Sequence, residues 1–246
     1  MRRRLTQFSG FGSQFDVEGG GGPPNILPTV PLLGTYTFVD VTALTVPFPA
    51  GYATDDIGLL IRESTNNPGA TPAGWTALTP RGVGTASAIG SARCETWWKR
   101  LTVASETNPT FIAETTHQSG IIIIIRGCPN SSVPVMSEAG LANNPGANPT
   151  SFAALTSTLN DSLWVEIAAR TNDTIVTPQF TTETNASLTG LTKILDTGSN
   201  LADGGGIAIF TGSKVFAGAA AATTVTATDF TQNIGRQSVV FRPTPF

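Results

Sequence analysis

The chain is short of charge, of histidine and of cysteine. Asp, Glu, Lys and Arg make up 13% of its 246 residues, and the net charge is −3. Binding to a phosphate backbone needs a concentrated basic surface, and only Arg2, Arg3 and Arg4 are clustered. Nucleic acid is therefore excluded as the main partner. A surface covered mostly by Gly, Thr, Ala, Ser, Asn and Pro is solubilised weakly by charge, which implies engagement in a larger assembly. The one histidine, His117, lies in Thr115-Thr116-His117-Gln118-Ser119-Gly120 and reads as a polar surface turn. No Gly-x-Ser-x-Gly elbow accompanies it, so Ser-His hydrolysis is disfavoured. One histidine and two separated cysteines do not make a four-ligand zinc site, and no cofactor is expected. Cys94 and Cys128 read as buried thiols in different strands, with a disulfide as the alternative.

Long apolar runs are missing too. No stretch reaches the length of a bilayer span, which argues against membrane insertion. The charged start at Arg2–Arg4 lacks the continuous apolar segment a signal peptide would need. Helical periodicity is absent. The five isoleucines Ile121 to Ile125 are β-branched and read as a central strand buried on both faces.

What is present is a pattern that occurs twice. Asp56-Ile57-Gly58-Leu59-Leu60-Ile61-Arg62-Glu63 is answered loosely by Asp161-Ser162-Leu163-Trp164-Val165-Glu166-Ile167-Ala168. After the first copy come Gly74–Leu78, Cys94–Lys99, Asn108–Ala113 and Ile121–Arg126. After the second come Gly190–Leu195, Gly206–Phe210, Thr223–Thr228 and Gln237–Arg242. A shared order with little identity points to shared packing. Short strands separated by Gly/Pro turns predict an all-β chain, an antiparallel, jelly-roll-like β-sandwich with internal pseudo-duplication. Residues 35–246 form the sandwich, with halves at about 35–130 and 155–246. Val135 to Ala154, rich in Asn, Pro, Gly and Ala, reads as a linker between them.

Residues 1–34 differ from this body. Phe8, Phe11 and Phe15 stand in a Gly/Ser/Gln background, followed by four glycines and Pro23-Pro24. Consecutive glycines carry too much conformational entropy for a core element. The phenylalanines predict an extended N-terminal arm that orders against a neighbouring subunit, with about 1.5–3 kcal/mol per buried Phe, offset by chain ordering. Arg2, Arg3, Arg4, Phe8, Phe11 and Phe15 are its candidate contacts.

The run Asp55–Glu63, then Pro72-Ala73-Gly74-Trp75-Thr76, then Trp97-Trp98-Lys99-Arg100, then a hydrophobic strand closing on Arg126-Gly127-Cys128 resembles a pattern of small all-β structural proteins encoded by phages. The turn Asn185–Thr189 and the glycines 204–206 resemble its second half. The resemblance spans roughly residues 36 to 242 and implies a non-enzymatic virion component, tail- or fibre-associated or decorating the capsid. Its implied partners are other phage structural subunits and further copies of itself.

Other chemistry is weaker. Glu63, Glu95, Glu106, Glu114 and Glu166 could supply a glycosidase pair, but strand alternation is expected to send most of them to solvent. Asp55-Asp56 could touch calcium, yet the alternating loop pattern is missing and a strand-start turn is the better reading. Trp97 and Trp98, adjacent in a strand, must face opposite sides. One of them, or Trp75, could dock a partner or stack on a sugar, so a carbohydrate-binding receptor module of a tail fibre is the alternative function.

Overall fold

The computed structural model describes residues 25–245 except 66–67, 80–81, 84–91, 104, 114–116, 142–147, 171–174, 176, 201–204 and 229–233. The arm contacts Arg2, Arg3, Arg4, Phe8, Phe11 and Phe15 lie outside the described residues. Among the described residues there is no helix.

Ten strands build two antiparallel sheets. They are β1 (Thr29–Leu33), β2 (Ile57–Ser64), β3 (Thr76–Ala77), β4 (Arg93–Arg100), β5 (Gln118–Arg126), β6 (Val135–Leu141), β7 (Ser162–Arg170), β8 (Thr189–Ser199), β9 (Gly205–Lys214) and β10 (Ile234–Phe241). The first sheet runs β1-β5-β2-β4-β3 and the second β6-β10-β7-β9-β8. Adding five to each label of the first order gives the second. Thr37–Val39 and Gly82–Val83 pair additionally with β5 and β4.

The sheets pack face to face as a sandwich. Strand periodicity of two decides which residues meet: Ile57, Leu59 and Ile61 from β2 join Ile121, Ile123 and Ile125 from β5, facing Leu163, Val165 and Ile167 from β7. The intervening Ile122 and Ile124 lie on the other side with Leu60 and Trp97. All five isoleucines are fully buried, as a run apolar at every position requires.

Both outer faces are covered by the chain itself. Over the first sheet lie Leu44, Val46, Trp75, Leu101 and Phe111, partly held by a ladder between Leu44–Thr45 and Thr110–Phe111. Over the second, a three-stranded ladder of Thr150–Ser151, Thr224–Ala227 and Phe180–Thr184 brings Phe152, Phe180 and Val225 onto Ala168 and Phe210. The body therefore has four layers.

Three expectations are corrected. Residues 29–126 supply one sheet and 135–241 the other, whereas a jelly roll shares successive strands between its sheets. The supposed linker contains β6, an edge strand pairing with β10 from Val135 to Leu141. The body also begins before residue 35, because β1 is the edge strand beside β5. In both cases an edge strand with weak apolar alternation escapes the sequence pattern, since only one neighbour fixes it.

Pairing Asp56 with Asp161 in sequence does not place equivalent faces together. Inner-face residues are Ile57, Leu59 and Ile61 in β2 but Leu163, Val165 and Ile167 in β7. Matching Asp56 with Asp161 would set Ile57 against Ser162, on the opposite face. Equal faces require Asp55 to match Asp161, because a slip of one residue turns every side chain over.

Candidate functional site

The three candidate tryptophans do not share a platform. Trp97 is fully buried under the outer layer, its ring 5.2 Å from that of Phe111, and its Nε1 donates to Thr71 Oγ1 at 3.2 Å. Trp75 is buried in the same cluster and stacks on Phe48 at 5.9 Å. Trp98 points to the inner face, packs on the rim of the main core and is half-buried. It alone of the three borders the space between the sheets.

That space is a lateral cleft of about 660 Å³ lined by Leu78, Trp98, Val133, Val135, Met136 and Glu138, among others. It lies where the short edge strand β3 approaches β6. The other open side of the sandwich, between β1 and β8, holds a cleft of about 280 Å³ with Val30, Leu163, Ile194 and Thr211 in its lining. Trp98 is paired with Leu59 and Thr211 with Val165, so the two residues occupy matching places. Glu138 is paired with Val239 and Leu33 with Ile123, which match in the same way. One cleft thus carries an indole and a carboxylate, where the other has Thr211 in its lining and, outside it, an exposed Leu33 at the position matching Glu138.

Glu138 projects to the inner face because cross-strand partners share a face and Val239 is in the main core. One oxygen accepts the Thr79 N–H at 2.8 Å. Burial raises its pKa, and the Thr79 bond opposes the rise.

Most other ionisable groups hold the covering loops. Arg62 bonds Glu95 at 2.7 Å and Gln118 at 3.1 Å; Glu95 in turn accepts the Gly69 N–H at 2.8 Å. Gln118 donates to the carbonyls of Thr42 and Ile112. In the second half Arg170 donates to Gln179 O at 3.2 Å, Asp196 accepts the N–H groups of Gln179 and Phe180, and Lys193 donates to Phe180 O at 2.6 Å. The Arg62 guanidinium sits 5.0 Å over Phe111 and that of Arg170 5.6 Å over Phe180. These charges satisfy loop backbone groups that would otherwise be buried without partners.

The expectation that the glutamates face solvent is overturned for Glu63, Glu95 and Glu166, all buried; Glu114 lies outside the described residues. His117 is corrected likewise, from surface turn to fully buried. Its Nε2 lies 2.8 Å from Glu63 Oε1, and Ser119 donates to Glu63 Oε2 at 3.1 Å. Burial drives the Glu63 pKa upward against the lowering effect of His117. The carboxylate lies between serine and imidazole, whereas a nucleophilic triad puts the imidazole between serine and acid.

Asp56 is an internal tether. Arg126 donates to both its oxygens, at 2.8 and 2.6 Å. Burial alone would raise the carboxyl, but Arg126 and the Ala53 N–H hold it below its ordinary value. Among the described residues no group of three or more His, Cys, Asp or Glu could hold a metal ion. Cys94 and Cys128 are buried and unpaired.

Sequence reasoning missed Glu138 because it lies in the stretch read as a linker. Extending the repeat backwards from β7, to the strand answering β1, would have reached it. Comparisons with family models, with curated proteins and with solved structures find no match.

Proposed function

We propose that the chain is a non-enzymatic structural protein of a bacteriophage virion, a β-sandwich displayed on the particle and attached through its N-terminal arm. Its partners in this reading are other capsid or tail subunits and further copies of itself. In the same reading the two halves are pseudo-duplicated, each forming one sheet of the sandwich.

The observation that carries the proposal is the place where the arm meets the body. Asn25 donates to Asn160 O at 3.1 Å, and Ile26 bridges Thr244. The same Asn160 receives the Ala217 N–H at 2.8 Å. Ile26, Leu27, Val215 and Phe216 are all exposed around this root, Phe216 to 72%. Large apolar side chains gathered at one point of a monomer mark a docking surface. Elsewhere the body covers both sheets with its own loops, pinned by buried charge, as suits a rigid display unit.

The carbohydrate-receptor alternative retains only Trp98, since Trp75 and Trp97 are packed inside. Removing residues 1–22 tests the proposal. The truncated chain should stay folded and soluble yet fail to join particles, and normal incorporation would refute the arm's role.

A further inference from the structure

We infer that the lateral cleft at Trp98 and Glu138 binds a protonated primary amine, with the ammonium on the free oxygen of Glu138 and the carbon stem along Val133, Val135 and Met136. The site stands apart from the arm and from the virion reading.

Three observations carry it. First, the fold does not require these residues. The matching positions on the other side of the sandwich are Thr211 and Leu33, and that side forms a cleft without an aromatic or a charge in its lining. Second, Glu138 is electrostatically incomplete. It is the one ionisable side chain among the described residues lining the cleft. Its Oε1 is taken by Thr79, and among the described residues no cation pairs with it. The nearby guanidinium of Arg242 donates to Val133 O at 3.3 Å instead. A half-buried carboxylate with no cation gains most from a ligand that brings one. Third, apart from the hydroxyl residues Thr76 and Ser137, the remaining walls are aliphatic or aromatic. They suit an alkyl stem with its charge at one end, and an indole is the best aromatic neighbour for a cation. A volume of about 660 Å³ falls in the range of ligand pockets.

Inward charges on edge strands also deter edge-to-edge pairing. That role alone does not explain the asymmetry, since β1 is equally an edge and has Leu33 at the matching place.

The ammonium could belong to a lysine side chain of a partner protein or to an amino sugar, and the probes separate these sources. The full chain is titrated calorimetrically with butylammonium chloride, 1-butanol, Nα-acetyl-lysine methylamide and glucosamine, with indole N–H chemical shifts followed in parallel. Butylammonium should bind and shift one indole signal, while 1-butanol should not. Glu138→Gln keeps an amide oxygen for Thr79 and should weaken amine binding at least about tenfold. Glu138→Leu copies the Leu33 arrangement and provides a second folded variant, checked by its thermal melt. Tighter binding of the lysine derivative assigns the site to a protein partner, and tighter binding of glucosamine to a glycan; either supports the amine site. Equal binding by wild type and both variants, or no binding of any amine, overturns the proposal and leaves Glu138 as an edge guard.

Discussion

Asp55 and Asp161 both adopt left-handed backbone, with φ of 73° and 56°, just ahead of the central strand of their respective sheets. The N–H of Asp55 donates to Leu101 O, just past β4, and that of Asp161 to Val215 O, just past β9. The two turns thus perform one task twice. Aspartate tolerates this region better than most residues because its short side chain bonds locally. Glycine at either position should leave the melting temperature nearly unchanged. Valine should cost about 1–2 kcal/mol through the steric penalty of left-handed backbone. Equal melts for the glycine and valine variants would show that the conformation is not under strain.

The isoleucine strand makes a second prediction. Because the chain's own loops cover the outer face, Ile122→Ala and Ile124→Ala should destabilise the isolated protein as severely as Ile121→Ala, Ile123→Ala and Ile125→Ala. Each should cost about 2–5 kcal/mol through lost transfer energy and the cavity left behind. Denaturant melts of the free chain give the comparison. Near-neutral results at 122 and 124 alone would mean that the outer layer opens in solution.

Glu166 sets a pH dependence. Burial pushes its carboxyl up to about 7, against a hydrogen bond from Thr223, and Oε2 has no partner among the described residues. An unfolded glutamate titrates near about 4.3, so the folded state binds the proton more tightly. The associated stability is fully present below that value and is lost as pH rises through about 7. Glu166→Gln should abolish this slope and exceed wild type in stability at pH 8, by on the order of 3 kcal/mol. Parallel melts from pH 4 to pH 8 would show the two curves diverging; curves that stay parallel would contradict this assignment.

Much of this arrangement is legible in sequence, where the signal is local. Five apolar positions in a row demand cover on both faces, and parity separates Trp97 from Trp98. Parity does not say which of them faces inward, and that depends on β2, whose Leu59 and Leu60 pair with Trp98 and Trp97. The buried role of His117 was invisible for a related reason. Its neighbours are Thr, Gln and Ser, while its partner Glu63 arrives through the β2–β5 register, where Glu63 lies opposite Ser119. Local polarity describes a turn; only long-range pairing turns it into core.

The thiols provide a fourth prediction. Burial pushes Cys128 up to about 12 and Cys94 higher still, and only a thiolate attacks a disulfide reagent. The native protein should therefore leave Ellman's reagent nearly colourless, and guanidinium should release two reactive thiols per chain. Rapid labelling without denaturant would indicate that the sandwich opens at Cys94 or Cys128.

Confinement of each sheet to its own half of the chain has a consequence for biosynthesis. A ribosome that has delivered residue 126 has delivered every strand of the first sheet, while the inner faces of Ile57, Leu59 and Ile61 still await the second. The nascent half is a complete sheet with one unprotected apolar face, the kind of surface that drives misassembly between chains. Translation through Val135–Phe241 then supplies its cover from the same polypeptide, through the single connection after Arg126. The protein is in effect a dimer whose subunits are made in sequence, with the first exposed for the time taken to synthesise the second.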